Sequence, residues 1–432
     1  MPTAKLRVAI CGGGIGGLAL AVALSKYSDI QVDVYEAAGQ FKEIGAGVMM
    51  WERTWKILDQ LGLSEDLSKA ADTPPNGFPG IGFDFRRADR ETGFQFHMYN
   101  PPYGCIRFHR AHFLDVFVNH LPSGVAHFGK RLLSYEDRHS NSQVILKFAD
   151  GSQGTCDLLV GCDGLKSTVR KQMYDQAPFK EPTLKIVAEP IWSGWVTYRA
   201  LVPADRVRQA NGGKETRTTT TPMMYCGKSK HIVSYPIFQG RIVNVVGLVF
   251  YPEGEGKTFD GPWVTECDGA EVIKHYVGWE QEVQDLLRHV DKAMLWAVHS
   301  LRPLPMYTSG RVALLGDAAH AMTPHQGAGA GQAIEDAYIL AALLGEPSIT
   351  ALNLWKALSA YESIRLPFAN RVLRESAVSG KMYEFNSIFQ DNYTSLGPAI
   401  DAQWSWLWES TPEEEVERAL KRMRGLGVKH KL

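Results

Sequence analysis

The chain has 432 residues, of which 45% are hydrophobic and 22% charged, with a formal net charge of −1 at pH 7. This composition is typical of a globular protein with two domains, or with one large domain that carries an insertion. The balanced charge excludes a strong electrostatic attraction to nucleic acid or to an anionic membrane. No uncharged apolar stretch has the roughly 20 residues that a membrane span needs.

The cysteines indicate the compartment. Six of them are scattered along the chain without a CxxC pair or the spacing of a zinc site. No signal peptide is predicted at the first residues. We therefore expect reduced thiols, a cytoplasmic protein and no structural metal.

The first forty residues follow the pattern of a βαβ unit. An apolar run at 6–10 precedes a glycine loop, an apolar helix is predicted over 18–24, and a second strand over 32–36 ends in an acid. Gly12, Gly14 and Gly17 fit G-x-G-x-x-G, in which glycines permit a tight turn and close approach to a pyrophosphate. Glu36 stands where an acid takes the ribose hydroxyls of an adenine dinucleotide. The motif by itself does not distinguish NAD from FAD.

The middle and the end of the chain have different patterns. A helix is predicted over 51–61, and the Pro/Gly-rich residues 72–82 read as a connector. Short β-branched and aromatic runs between 190 and 250 predict an inserted antiparallel sheet. The threonine-rich residues 216–221 read as an exposed loop. The alternating Trp404, Trp406 and Trp408 suggest packing or a dimer contact.

Two further motifs select the cofactor. Residues 156–170 contain D-x-x-x-G-x-D-G-x-x-S-x-V-R, in which Asp163 begins a tight turn and Ser167 is a plausible helix N-cap. Residues 316–320 read Gly-Asp-Ala-Ala-His and are followed by Pro324 and a glycine-rich run. With the first glycine loop, these segments resemble the FAD-dependent aromatic hydroxylases of the para-hydroxybenzoate hydroxylase fold. The resemblance covers nearly the whole chain, and the sequence motifs are most similar to those of salicylate hydroxylases.

The resemblance implies an α/β fold, with a Rossmann-like FAD-binding domain, an inserted antiparallel-sheet substrate domain and C-terminal helices. We expect FAD-binding parts at 1–75, 101–185 and 301–375, a connector at 76–100, the substrate domain at 186–300 and a C-terminal helical region at 376–432. It further implies FAD contacts from several positions, namely Gly12, Gly14, Gly17, Glu36, Ala46, Gly47, Arg110, Asp163, Gly316, Asp317, Pro324, Gly327, Gly329 and Ala330.

The reaction implied by the resemblance has two halves. NADH or NADPH reduces FAD, and the reduced flavin forms a hydroperoxide with dioxygen that hydroxylates a small phenolic substrate. Salicylate-type substrates lose their carboxylate at the attacked carbon. The expected protein is a monomer or a homodimer without nucleic-acid or membrane partners.

Four residues are candidates for the substrate side. His325 follows the Gly-Asp-Ala-Ala-His motif at 316–320, here called the late motif, where it could hold a carboxylate or a phenolate. His231 and Tyr235 are four apart on a predicted strand and therefore share one face. Arg199 matches a position treated as catalytic in fungal relatives. Structural roles remain open for three of them: Tyr235 as a core tyrosine, His231 as a structural histidine and Arg199 as a partner in a structural ion pair.

Two other functions remain open from the sequence. One is a different reaction on the same fold, such as epoxidation or a kynurenine-type hydroxylation. The other is an FAD-binding protein without hydroxylase activity, acting as a ligand sensor or a simple oxidase, because fold does not fix function. The intact late motif and the candidate histidines favour the hydroxylase.

Overall fold

Two large β-sheets, one parallel and one mostly antiparallel, organise the chain in the computed structural model. The structure describes residues 4–41, 47–72, 74–138, 143–177 and 183–426. The strands are β1 Leu6–Cys11, β2 Ile30–Tyr35, β3 Gly47–Met50, β4 Phe83–Arg87, β5 Phe94–Tyr99, β6 Ile106–His109, β7 Ala126–His127, β8 Leu132–Arg138, β9 Gln143–Phe148, β10 Gln153–Cys156, β11 Leu158–Gly161, β12 Ile191–Pro203, β13 Met223–Gly227, β14 Lys230–Ile237, β15 Ile242–Phe250, β16 Val264–Asp268, β17 Lys292–Ser300, β18 Thr308–Ser309 and β19 Val312–Leu314.

The helices lie on and between these sheets. They are α1 Ile15–Leu24, α2 Glu52–Gln60, α3 Ser64–Ala70, α4 Arg110–Asn119, α5 Thr168–Gln176, α6 Thr183–Ile186, α7 Ala204–Ala210, α8 Arg217–Thr220, α9 Gly269–His275, α10 Gln281–Leu287, α11 Asp317–His320, α12 Gly329–Gly345, α13 Leu354–Tyr383, α14 Tyr393–Ala402 and α15 Pro412–Gly425. Among the described residues, none of these helices combines the length and the apolar character needed to cross a bilayer.

The parallel sheet confirms the predicted βαβ start. Its strand order is β18-β19-β11-β1-β2-β7, and only the β18–β19 pair is antiparallel. Helix α1 is buried on nearly all sides because it packs between the sheet and α12. Gly16 permits this approach, since a Cβ at that position would lie 3.0 Å from the Cβ of Ala333.

The second sheet, here called the substrate sheet, has the order β16-β17-β12-β15-β14-β13-β4-β5. Its pairs are antiparallel except for β13 and β4, so the predicted antiparallel sheet is confirmed with one parallel junction. The segment 76–100, expected as a connector, supplies β4 and β5 to this sheet. The domain boundaries themselves remain a proposal.

One local prediction differs from the structure, and another agrees with it. Residues 216–221, expected as an exposed loop, contain the short helix α8, in which Thr218 and Thr219 are buried. The Thr216 side chain and backbone cap this helix. In the C-terminal region, Trp404 and Trp406 are buried, whereas Trp408 is 53% exposed. Trp404 stacks on Tyr99 with ring centroids 4.9 Å apart, so its role is packing.

Candidate active site

The first glycine loop joins β1 to α1 and is closed on one side. A Cβ on Gly12 would lie 2.2 Å from the Cys162 carbonyl oxygen, and one on Gly17 would lie 2.0 Å from the Gly12 carbonyl oxygen. Gly14 differs, because no described atom lies within 4 Å of its hypothetical Cβ. The loop thus packs tightly against its own strands and leaves open space at Gly14, which fits a cofactor pyrophosphate at the N-terminus of α1.

Glu36 directly follows β2 and faces the glycine loop. Its carboxylate accepts hydrogen bonds from the backbone N–H groups of Gly13 and Ala38, each at 2.7 Å. The acid therefore stands beside the loop, as a ribose-binding acid of this motif does.

The Asp163 carboxylate caps helix α5. It accepts hydrogen bonds from Ser167 Oγ at 2.5 Å and from the Thr168 backbone N–H at 2.7 Å. Ser167 is the N-cap, as predicted, and accepts from the Arg170 backbone N–H. The Arg170 side chain then donates to the Ala318 carbonyl oxygen at 3.0 Å. The motif at residues 156–170 thus holds the motif at residues 316–320 in place.

The late motif turns sharply at Gly316, which has a φ of 64° in the left-handed region. Asp336 of α12 accepts from the Gly316 backbone N–H at 3.0 Å and lies 2.6 Å from His320 Nε2. Buried Arg365 donates to the same Asp336 carboxylate at 2.7 Å. Burial tends to raise the pKa of Asp336, but His320 and Arg365 more than offset it and lower that pKa. These groups support the turn, whereas the Asp317 side chain is left beside the cavity.

The 17-residue helix α12 begins at Gly329, just after the turn Pro324–Gln326 and the left-handed Gly327. Only the Asp317 carboxylate, at 4.0 Å, lies near a hypothetical Cβ on Gly329. The positive end of a long helix therefore faces open space, where it can stabilise negative charge. A flavin ring with an anionic edge fits this arrangement.

Strand β3 and helix α4 carry two more predicted cofactor residues. Gly47 pairs with His109, and Arg110 opens α4 directly after that strand. Ala46 lies outside the described residues. A Cβ on Gly47 would lie 2.5 Å from the Tyr235 hydroxyl oxygen, so the glycine brings this loop against the substrate sheet.

A single cavity of about 430 Å³ connects the cofactor motifs to the substrate sheet. Its lining includes ten of the predicted cofactor residues and all four predicted substrate residues, namely Gly14, Gly17, Gly47, Arg110, Gly316, Asp317, Pro324, Gly327, Gly329, Ala330, Arg199, His231, Tyr235 and His325. Gly12, Glu36 and Asp163 stand behind this surface and shape it through the contacts given above.

His325 is a buried polar group of the cavity. It is 4% exposed, and neither ring nitrogen has a hydrogen-bond partner among the described residues. Its ring packs edge-on against Trp195, with centroids 4.7 Å apart. Burial, with a smaller effect from His231, holds the pKa of His325 well below its usual range, so the imidazole is neutral at pH 7.

His231 is held by an acid that the sequence did not indicate. Its Nδ1 lies 2.8 Å from Glu384 Oε1, and both side chains are 0% exposed. Burial lowers the pKa of His231 to about 3 and raises the pKa of Glu384 well above its usual range. The His231 ring lies 5.3 Å from that of His325, centroid to centroid.

Tyr235 and Arg199 complete the substrate side. Burial raises the pKa of Tyr235, which is therefore a neutral phenol. Arg199 Nε has no hydrogen-bond partner, and no ion pair is found for Arg199 among the described side chains. Burial lowers its pKa and the nearby Arg110 adds to that effect, and both arginines line the cavity. This arrangement is suited to an anionic ligand.

The C-terminal turn of α13 forms a wall of the site that no sequence motif indicated. A Cβ on Gly380 would lie 2.4 Å from His325 Nε2, and Tyr383 lies edge-on to His231 with ring centroids 5.7 Å apart. Glu384 follows directly. A glycine in the last turn of a long helix was the available signal, and by itself it marks only a close approach.

Comparison with known proteins identifies the family. The FAD binding domain family matches residues 5–376. A salicylate hydroxylase from Pseudomonas putida is 38% identical over 423 residues, which span 97% of this chain and 95% of the relative. A 6-methylsalicylate 1-monooxygenase from Aspergillus terreus is 33% identical over 425 residues, which span 96% of this chain and 92% of the relative.

Solved structures agree with the sequence relatives. A structure described as a salicylate hydroxylase substrate complex matches with a TM-score of 0.85 and 33% identity, over 96% of this chain and 98% of that one. The family match, the relatives and this neighbour all cover most of the chain. The chain therefore belongs to the FAD-binding family of flavoprotein monooxygenases.

Proposed function

We propose that the protein hydroxylates a small phenolic acid of the salicylate class, with FAD as cofactor and with NADH or NADPH and dioxygen as co-substrates. One observation carries the proposal: the cofactor motifs and His325, His231, Tyr235 and Arg199 line the same cavity. The names of the relatives, a salicylate hydroxylase and a 6-methylsalicylate 1-monooxygenase, support this substrate class.

FAD would lie along the motif surface. The glycine loop and Glu36 would hold its adenine half, while Arg110, Asp317 and the start of α12 would hold its flavin half. When bound, FAD supplies the reduction of dioxygen and the delivery of one oxygen atom to the ring. The protein's own groups bind, orient and enclose the substrate.

The cavity wall facing the flavin half is suited to an aromatic acid. Arg199 and Arg110 favour a carboxylate electrostatically, and Arg199 Nε is available to donate a hydrogen bond. Val233, Val246 and Leu248 line the same cavity and provide apolar contact for a ring. A ligand with an anionic group and an apolar ring matches both surfaces.

His325 would orient the phenol. Because it is neutral, one ring nitrogen accepts a hydrogen bond and the other donates one. A substrate hydroxyl that donates to the accepting nitrogen becomes more electron-rich, and this favours attack on the ring. Tyr235, also neutral, can donate or accept a hydrogen bond from its place in the cavity lining.

The test is a substrate assay on the purified FAD-loaded protein. Salicylate should accelerate NADH or NADPH oxidation and yield catechol and carbon dioxide, whereas hydroxylation without decarboxylation would yield a dihydroxybenzoate. His325→Ala should lower product formed per nicotinamide oxidised by about 10²-fold or more, with FAD content unchanged. The proposal fails if no phenolic acid in a panel, 6-methylsalicylate included, stimulates oxidation.

The same assay separates the other functions. Epoxide formation from an alkene would favour the related reaction on this fold, and FAD binding without any stimulated oxidation would favour a sensor. We further propose a cytoplasmic monomer or homodimer. The six cysteines are free thiols, which supports a reducing compartment, and light scattering of the purified chain tests the oligomeric state.

A further inference from the structure

Glu384 is a buried acid in contact with His231 of the cavity lining, and the proposed function does not use it. It lies at the C-terminal end of α13 and is 0% exposed. A buried carboxyl group is costly unless its oxygens are hydrogen-bonded. Two side chains that line or pack against the site, His231 and Trp195, satisfy one of those oxygens.

Two nitrogen atoms lie within hydrogen-bonding distance of Glu384 Oε1. Trp195 Nε1 lies 2.9 Å from this oxygen, and an indole N–H can only donate. Oε1 therefore accepts from Trp195, as a carboxylate, carbonyl or hydroxyl oxygen can. His231 Nδ1 lies 2.8 Å from the same oxygen, where it donates if Oε1 carries no proton and accepts if Oε1 carries the carboxyl proton.

The tautomer of His231 is set by the direction of its hydrogen bond to Glu384. A neutral imidazole has one N–H and one lone pair, so an Nδ1–H leaves the lone pair on Nε2. Because Nδ1 is bound to Glu384 and His231 lines the cavity, Nε2 is the nitrogen left for a ligand. No described group hydrogen-bonds to Nε2.

We propose that Glu384 is a positioning residue that holds His231 in the tautomer whose Nε2 accepts a hydrogen bond from the substrate. Through Trp195, which packs edge-on against His325, the same carboxyl also fixes one wall of the second histidine. The role in turnover rests on the proposed function, because it concerns the same cavity. The tautomer itself does not depend on what the substrate is.

Two substitutions separate an acceptor role from a charge role. Glu384→Gln keeps an acceptor oxygen at Oε1 but cannot ionise, so His231 should keep its tautomer and turnover should stay within about threefold of wild type. Glu384→Leu removes the acceptor, so both tautomers should be populated and kcat for coupled hydroxylation should fall about 10- to 100-fold, the effect of a small misplacement in an active site. Glu375→Leu, on the same helix but paired with Arg371, is the matched control and should leave both unchanged.

The primary readout is the ¹⁵N NMR signal of the His231 ring in the wild-type FAD-loaded protein, assigned with His231→Gln. The expected result is a protonated Nδ1 and an unprotonated Nε2. A protonated Nε2 in wild type overturns the inference, even if the leucine variant does not fold. Equal tautomers and equal turnover in wild type and Glu384→Leu also overturn it. If wild type oxidises no phenolic acid, the proposed function fails while the tautomer measurement still decides the inference.

Discussion

The imidazole of His325 packs directly on the backbone of Gly380. A methyl group at position 380 would lie 2.4 Å from His325 Nε2 and 2.5 Å from Cδ2, far inside van der Waals contact. Helix α13 therefore approaches the site at the one residue without a side chain. This contact fixes where the His325 ring can be.

Gly380→Ala should move His325 and lower coupled turnover by about 10²-fold, the effect of roughly 1 Å of misplacement. Helix propensity by itself favours the substitution, since alanine stabilises a helix interior by about 1 kcal/mol relative to glycine. Loss of activity without a gain in stability would show that the contact dominates. Gly425→Ala in α15, where a Cβ meets nothing within 4 Å, is the control and should leave turnover unchanged.

Gly14 and Gly17 should respond differently to alanine. At Gly14 the protein leaves space, so Gly14→Ala should change the free energy of unfolding of the apoprotein by less than about 1 kcal/mol. FAD affinity should still fall at least tenfold, because the added methyl points into the cofactor space. Gly17→Ala, whose Cβ would lie 2.0 Å from the Gly12 carbonyl oxygen, should lose stability as well. Unchanged FAD binding in Gly14→Ala, measured by flavin fluorescence titration, would contradict the assigned cofactor position.

Outside the cavity, we expect Arg365 to be the charged residue whose substitution lowers the free energy of unfolding most. It is 0% exposed and donates to Asp336 and Glu335, so Arg365→Met leaves buried carboxylates without their cation. We expect a loss of about 3–5 kcal/mol in the free energy of unfolding. Arg371→Met, on the same helix with partly exposed partners, should cost at most about 1 kcal/mol. Urea denaturation measures both, and similar losses would refute the difference.

Arg199 should select for an anionic substrate. Arg199→Met is expected to raise KM for an aromatic acid by about tenfold or more, because it removes a charge-assisted hydrogen bond. The change in KM for a phenol without a carboxylate should be much smaller. Arg206→Met, an exposed arginine of the same region, serves as the control. An equal effect on both substrates would argue that Arg199 does not bind the carboxylate.

Acid should destabilise the protein through its buried histidines. The pKa of His231 is lowered from 6.5 to about 3, and that of His325 is also well below its usual range. Below pH 6.5 the unfolded chain binds protons that the native state does not, so stability falls as pH drops from about 6.5 towards 3. Each such proton contributes up to about 1.4 kcal/mol per pH unit. The fall in Tm between pH 7.5 and 5.5 should be shallower in His231→Gln, and an equal slope would count against a neutral buried His231.

The sequence by itself determined the cofactor half of the protein. The glycine loop, the Asp163 turn and the Gly316 turn depend on residues close together in the chain, and their conformations follow from local sterics and capping. Local spacing therefore predicted the parallel sheet, the helix starts and the Ser167 cap. It also predicted β14, whose alternation puts His231 and Tyr235 on one face.

Only the tertiary structure decided how the substrate wall is built. His231 and Glu384 are 153 positions apart, and Gly380 reaches His325 from a helix that carries no motif. Such contacts leave no periodicity or spacing in the sequence, because they arise when the C-terminal end of α13 packs against the substrate sheet. The chain thus encodes its cofactor site locally, whereas the partner of each buried histidine is fixed by long-range packing.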